Sequence, residues 1–492
     1  MRKLGSMLAA TSLLVSGLWT SGPSHAQDAH VGDAKAGAVN YAKLCAACHG
    51  PKALGGEGPD LTQSIYAHGN GDDNVIHSIR DGQPGGMPSY RATLSNAEIN
   101  DLVAFLAERR ADPTNPPNQP PKVDTAIPKG VVKTDVENFR VQVVAHIPQG
   151  YGFAFLPDGR ILVTQSSGAL RVIDHGKLLP DPIADAPTGG AEGKHDQKGR
   201  NLIDVIVDPD YKHNGWIYLD TVHPVKNAPA AGTEHPSGLT ITRGHIRDGR
   251  WVDSRDIIDF SIEAPTALRM AFDAQRHLYI GTSWPNFEFV SLEQAPNTPP
   301  QRLSSTWGKV LRMNADGSVP SDNPFVGKGD ANPYVFSYGN RAPLGLVVNR
   351  KGEVWESENG PRGGDELNLI KPGLNYGWPG SSWGLRYDDV AAQANPEPKG
   401  VEQPVINWAP SPSVSSIDFY YGKAFPGWKG DIIMGSLKAT DLYRIVLDGD
   451  RAVLQEVIIH KLGRVRTVKS GPDGFVYVMT DEGNFVRLVP AR

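Results

Sequence analysis

From about residue 140 onward, apolar and polar residues alternate in short runs. Each run meets a turn carrying Asp-Gly or Pro and resumes as another β-rich run. The first copy reads Phe153-Ala154-Phe155-Leu156-Pro157-Asp158-Gly159. Others span 205–218, 270–280, 346–355, 417–434 and 468–478, the last around Pro472-Asp473-Gly474. Their starts are about 50 to 75 residues apart, the length of a four-stranded unit with variable loops. Six such units predict a six-bladed β-propeller, with a pair of irregular β-sandwiches as the alternative. Upstream the period changes. Ala34 to Leu44 forms a helical stretch, and Ser95 with Glu98 makes a capping box ahead of Ile99, Leu102, Val103 and Leu106 at helical spacing. A small all-α domain therefore precedes an all-β one. Between them, Pro113, Pro116, Pro117, Pro120, Pro121 and Pro128 mark a semi-extended spacer. It tethers the first domain and raises its effective concentration near the second. The expected division is 31–111, a linker over 112–138, and a propeller over 139–492.

Composition supports this multidomain layout. A chain of 492 residues is too long for one ordinary domain, and 54 Gly with 40 Pro exclude a helix bundle for most of it. With 49 Lys+Arg against 54 Asp+Glu, the net charge of -5 gives no reason to expect nucleic acid as partner. Two cysteines exclude a disulfide-rich scaffold. The N-terminus has Arg2 and Lys3, an apolar stretch from Leu4 to Trp19, and Ser24-His25-Ala26. That is the layout of a secretory signal over residues 1–26, cleaved after Ala26, and it predicts a periplasmic protein. The stretch is broken by Gly and Ser and falls short of the roughly 20 residues of a membrane span. No later segment resembles one.

The two cysteines carry the most specific chemistry. Cys45-Ala46-Ala47-Cys48-His49 is the C-x-x-C-H pattern of covalent haem attachment. Two thiols add to the porphyrin vinyl groups and the next imidazole reaches the iron. Met87, 38 residues beyond His49 in Gly85-Gly86-Met87-Pro88, is the candidate for the opposite face. In an exported protein a cysteine pair otherwise reads as a disulfide, but adjacent His49 and downstream Met87 argue against that. Zinc would need two more clustered ligands, and His68 and His77 are the histidines at hand. The first domain closely resembles a small class I cytochrome c domain, carrying one haem c.

The propeller resembles the glucose/sorbosone dehydrogenase family of soluble, pyrroloquinoline quinone-dependent enzymes. The likeness is carried by Gly339-Asn340-Arg341-Ala342-Pro343, by Glu358-Asn359-Gly360-Pro361-Arg362-Gly363-Gly364-Asp365-Glu366, and by Asn375-Tyr376-Gly377-Trp378-Pro379. Gly435-Ser436-Leu437-Lys438 and Gly463-Arg464-Val465-Arg466 complete it. The resemblance implies that Arg269, Arg341, Lys438, Arg464 and Arg466 bind the carboxylates of the quinone, as cations do in a partly dry cleft. It also implies that Gly360 and Pro361 offer carbonyl oxygens to a calcium ion, with Asp365, Glu366 and Tyr376 at a further calcium position.

The chain departs from that pattern. The family's His-x-x-x-Arg histidine, which takes the proton from the donor hydroxyl, falls at Pro265. The usual His-Arg-Asn is Asn340-Arg341-Ala342, and the customary glutamine is displaced, with Gln197 nearest. His195, in a loop that approaches substrate in the family, is a candidate replacement base, though an exposed loop histidine is the plainer reading. The catalytic residue is therefore left open. No Ser/His/Asp constellation suggests hydrolysis. Trp284, Phe287 and Phe289 hint at an apolar pocket wall.

Two functions follow. One is a periplasmic quinohaemoprotein dehydrogenase that oxidises a sugar, aldehyde or alcohol and sends electrons through the fused haem to a respiratory-chain acceptor. The other is a cytochrome c electron-transfer protein whose propeller is a non-catalytic binding module.

Overall fold

The computed structural model describes residues 32–54, 61–62, 72–82, 87, 89–111, 125–187, 202–224, 237–262, 269–284, 293–361, 363–384 and 397–491. The chain divides into two compact units, Met1–Pro121 and Lys122–Arg492. The signal-type segment, residues 1–26, lies outside the described residues. Among the described residues no helix is long and apolar enough to cross a membrane.

Among the described residues the first unit holds four helices: α1 (Ala34–Leu44), α2 (Ala46–His49), α3 (Asp72–Asp81) and α4 (Asn96–Ala111). Asp33 caps α1, its carboxylate accepting from the amides of Lys35 and Ala36. The capping box ahead of α4 forms as the sequence predicts. Ser95 N donates to Glu98 Oε2 at 2.8 Å, and Glu98 N donates to Ser95 Oγ at 3.3 Å. Ile99, Leu102, Val103 and Leu106 are buried in the core of this unit. Gly37 lets α1 approach α4 closely, since a Cβ there would lie 2.0 Å from the carbonyl oxygen of Asp101.

The second unit is a six-bladed propeller, five sheets having four strands and one having five. Each repeat seen in the sequence falls on the first strand of a separate blade and its turn toward the second. The innermost strands are Gly150–Phe155, Leu202–Val207, Arg269–Phe272, Pro343–Val348, Val414–Phe419 and Val465–Ser470. They meet one another in that order around a closed ring. Blades one to six are numbered from these strands.

The recurring Asp/Asn in the turn has a physical role: its side-chain oxygen accepts the amide two residues on. This occurs at Asp158 (3.0 Å), Asp208 (2.9 Å), Asp273 (2.9 Å), Asn349 (2.9 Å) and Asp473 (3.1 Å). Blade five instead has a longer connection, filled by Tyr420, Phe425 and Trp428.

The ring closes by pairing the two ends of the unit. Asn138–His146 runs antiparallel to Asn484–Pro490, from Phe139 opposite Pro490 to His146 opposite Asn484. Val131–Lys133 then adds a fifth strand to that sheet. This corrects the expected linker over 112–138. Its prolines end at Pro128, and beyond them Val131-Val132-Lys133 has free amides and β-branched residues, so it pairs with the strand beginning at Asn138.

Candidate active site

In the helical unit the attachment motif lies across one short turn. Cys45 precedes α2, and Cys48 and His49 end it. Both cysteines are free thiols, Cys45 half-buried and Cys48 exposed. Burial pushes the Cys45 thiol up to about 11, with Cys48 adding to the effect. His49 is buried, and Met87 packs half-buried into the same cluster as Leu44, Cys45 and Ala46. Tyr90 Oη holds the end of α1 by donating to the Leu44 carbonyl at 2.9 Å. Paired thiols, a buried imidazole and a thioether around one apolar cluster fit a haem. His77 forms a surface pair with Asp81 at 2.8 Å, and His68 lies outside the described residues.

In the propeller, four of the five cations named by the resemblance sit where innermost strands begin. Arg269 opens the blade-three strand, Arg341 precedes that of blade four, and Arg464 and Arg466 flank the start of blade six. Lys438 follows the second strand of blade five, Ile432–Ser436. Contacts tie these points together. Arg269 donates to the carbonyls of Leu344 (Nε, 3.1 Å) and Arg466 (Nη2, 2.9 Å), linking blades three, four and six. Arg464 Nη1 donates to the Leu437 carbonyl at 3.2 Å, and Leu437 packs on Ala342 and Leu344. The ring geometry thus gathers positions nearly 200 residues apart onto one face.

The cations are not equivalent. Arg466 is buried and makes a two-pronged pair with Asp481, Nε and Nη2 each at 2.7 Å. Arg464 Nε shares the same carboxylate at 3.0 Å. Burial alone would raise the Asp481 carboxyl, but the two guanidiniums outweigh it and hold it below the usual range. One carboxylate therefore serves two arginines and leaves excess positive charge. Among the described residues no carboxylate bonds Arg269, and its buried Nη1 has no hydrogen-bond partner there. The Lys438 side chain is exposed. An orphaned buried guanidinium nitrogen beside an under-neutralised arginine pair fits a polyanionic cofactor.

The calcium positions read differently. Arg341 Nη1 donates to the carbonyls of Asn359 at 2.8 Å and Gly360 at 3.1 Å, so the cation beside Gly360 is a guanidinium. A metal on that oxygen requires Arg341 to move. Pro361 is buried next to it. Asp365 is a loop clamp, accepting from Gly360 N (3.0 Å), Ser411 Oγ (2.7 Å) and Val414 N (3.0 Å). The Tyr376 hydroxyl donates to the Leu369 carbonyl at 2.7 Å and accepts from Lys371 N at 2.9 Å. Among the described residues no group of three His, Cys, Asp or Glu is arranged to hold a metal. These residues do not fit the calcium cage that the resemblance implies.

Glu366 belongs to a buried acidic cluster. Period two puts Glu356 and Glu358 on one face of their strand, opposite Asn368 and Glu366. Asn368 Nδ2 donates to Glu356 Oε2 (3.1 Å) and Glu366 Oε2 (3.2 Å), while Glu358 Oε2 accepts from Arg341 N at 2.7 Å. Burial pushes Glu358 up to about 7, against those amide hydrogen bonds. Burial and then the neighbouring acid push Glu356 and Glu366 well above the usual carboxylate range.

The Glucose / Sorbosone dehydrogenase family matches residues 147–487. The chain belongs to that family. A second family, described as Cytochrome C oxidase, cbb3-type, subunit III, matches residues 32–106. The aldose sugar dehydrogenase of Escherichia coli (strain K12) is 33% identical over 356 residues, 69% of this chain and 90% of that one. Quinoprotein glucose dehydrogenase B of Acinetobacter calcoaceticus is 27% identical over 436 residues, 73% and 89% of the two chains. The apo crystal structure of the soluble aldose sugar dehydrogenase from Escherichia coli superposes with a TM-score of 0.63 at 31% identity. It covers 72% of this chain and all of that one (100%).

Pro265, His195, Gln197, Phe287 and Phe289 lie outside the described residues. Trp284 is buried with Trp378 and Trp307, and the Trp378 ring centre lies 5.1 Å from the Arg341 guanidinium carbon. That wall is a clamp under Arg341. Trp378 Nε1 donates to the Trp284 carbonyl at 3.1 Å, and Trp284 N donates to the Arg341 carbonyl at 2.8 Å. Sequence reading missed Tyr151, Asp481 and Glu358 as members of the site. Tyr151 sits two residues before the first repeat, where it reads as an ordinary strand residue. Asp481 sits in a tight turn, Thr480-Asp481-Glu482-Gly483, with no motif around it.

Proposed function

We propose that the chain is a periplasmic quinohaemoprotein dehydrogenase that oxidises a sugar or related CH–OH or aldehyde donor. The donor is oxidised in the propeller, and the electrons leave through the covalent haem of the helical domain. The observation that carries this reading is the gathering of five cations on one propeller face, with Arg269 Nη1 buried and unbonded. A tricarboxylate quinone is an oxidant whose charge matches that set. When bound it accepts a hydride from the donor carbon. Arg269, Arg466 and Lys438 would hold its carboxylates, while Asp481 keeps Arg464 and Arg466 in place. Trp378 orients Arg341 from below. In the helical domain, Cys45 and Cys48 would hold the porphyrin, and His49 and Met87 would supply ligands to its iron. A two-electron site tethered to a one-electron carrier accounts for the order of the domains. Export through residues 1–26 belongs to the same proposal, because it delivers the protein to the compartment where the haem meets a respiratory acceptor.

The test is to add pyrroloquinoline quinone, with and without calcium, to purified haem-loaded protein. A panel of aldoses, alcohols and aldehydes is then offered while the reduced c-type band is followed. Haem reduction that needs both quinone and donor supports the proposal. A protein that binds no quinone and stays oxidised across the panel rejects it. That outcome favours the second reading, an electron-transfer protein with a binding propeller, for which Pro265 in place of histidine is the specific support.

A further inference from the structure

Oxidising a CH–OH group requires an acceptor for the hydroxyl proton, and position 265 offers none. The cation face contains a group that sequence reading did not single out. Tyr151 is the second residue of the blade-one innermost strand and is 4% exposed. Its ring centre lies 5.0 Å from the guanidinium carbon of Arg269 and 4.8 Å from that of Arg466. The backbone is held as well, Thr467 Oγ1 donating to the Tyr151 carbonyl at 2.6 Å, and the same hydroxyl accepting from Arg269 Nη2 at 3.1 Å. One phenol is thus fixed against two buried guanidiniums, one of which makes no carboxylate contact among the described residues.

The surrounding charges set the sign of the field. Asp481 offsets part of Arg466. Asp204 lies against neighbouring Gly152 and is faced by Lys469 at 3.9 Å, and Lys469 also lies 5.8 Å from the Phe153 ring centre. Burial pushes Asp220, beside Asp204, well up toward its neutral form. Asp220 feels the Arg269 charge but is held toward its neutral form by burial, so it offsets little of that charge, and negative charge on the phenol oxygen is stabilised as it forms.

We propose that Tyr151 is the general base of this enzyme, its phenolate accepting the donor's hydroxyl proton in place of the histidine missing at 265. This rests on the dehydrogenase reading above. The O–H bond of the donor breaks and its proton passes to Tyr151 Oη. The C–H bond breaks and its hydrogen leaves with the electron pair, as hydride, to the ortho-quinone oxidant, while C–O becomes C=O. Tyr151 releases the proton to solvent when product leaves, and the two electrons go on to two equivalents of ferric haem.

The test compares wild type with Tyr151→Phe and Tyr151→His, each checked for an unchanged haem spectrum and thermal transition. Tyr151→Phe should lower donor-dependent haem reduction at least about 100-fold and abolish the acid limb of the kcat/KM pH profile, with quinone affinity by titration unchanged. Tyr151→His should recover part of the rate, with an acid limb near about pH 6.5. A readout without quinone or donor is the ultraviolet phenolate difference spectrum. Wild type should show one tyrosine ionising ahead of the rest, and Tyr151→Phe should lack that step. Unchanged turnover in Tyr151→Phe, or the early step surviving in that variant, overturns the proposal and leaves the dehydrogenase reading standing. Loss of quinone affinity in parallel with rate makes Tyr151 a binding residue and overturns it too. A wild type that binds no quinone overturns the underlying reading and this proposal with it.

Discussion

The helical unit and the propeller face bring their candidate cofactor-binding residues together by opposite means. In the first, Cys45, Cys48 and His49 come from five consecutive residues, and one turn of helix sets their spacing. In the second, Arg269, Arg341, Lys438, Arg464 and Arg466 come from four blades. They meet only because each innermost strand starts on the same face of a closed ring. A contiguous motif tolerates distant change, since its geometry is local. A site assembled from several blades depends on the ring that gathers it and on charges that only the assembly brings together.

The sharpest way to break the comparison is to delete one site and ask whether the other survives. Replacing both Cys45 and Cys48 by Ala should abolish covalent haem and all haem reduction. Quinone titration of the propeller should be unchanged. Loss of quinone binding in that variant would show that the sites are not independent.

The next largest effect should come from Asp481→Ala, which leaves buried Arg466 beside Arg464 without their shared counter-charge. The expected cost is about 3–5 kcal/mol of propeller stability. Urea unfolding followed by tryptophan fluorescence measures it, and an unmoved haem-domain transition would keep the effect local to the ring.

The acidic cluster gives a pH signature. Burial raises Glu358 to about 7 from an ordinary value near 4.5. Between those values the folded state binds more protons than the unfolded chain, so stability is full below the lower value and falls as pH rises through the upper. The loss expected from pH 5 to 8 is on the order of 3 kcal/mol. Glu358→Gln keeps the acceptor for Arg341 N but carries no charge, and should flatten the decline. Equal slopes for wild type and variant in urea midpoints at the two pH values would exclude Glu358 as its source.

The smallest expected effect is on the helical side. Ser95→Ala removes one half of the capping box and should cost about 1 kcal/mol in the haem-domain transition. The propeller should not respond.

Much of this protein is legible in the residue order, wherever the physics is local. Ala34–Leu44 and the Ser95–Glu98 box were readable because helical capping and periodicity act over a few residues. The six repeats were readable because each blade opens on an alternating strand and five of the six follow it with an Asx turn, and those recur along the chain. The short strand Val131–Lys133 was not readable, because three residues next to a proline-rich stretch carry too little pattern and only pairing with Phe139 and its neighbours orders them. The cations could be named by resemblance, but their inequality could not. That Arg464 and Arg466 share Asp481, that Arg341 takes the Gly360 carbonyl, and that Arg269 and Arg466 both face Tyr151 are matters of distance between blades. The sequence by itself determined the elements, the haem motif and the count of blades. Only the closed ring decided which charges are neutralised, because Coulomb interactions and desolvation depend on separation in space, which residue numbers do not encode.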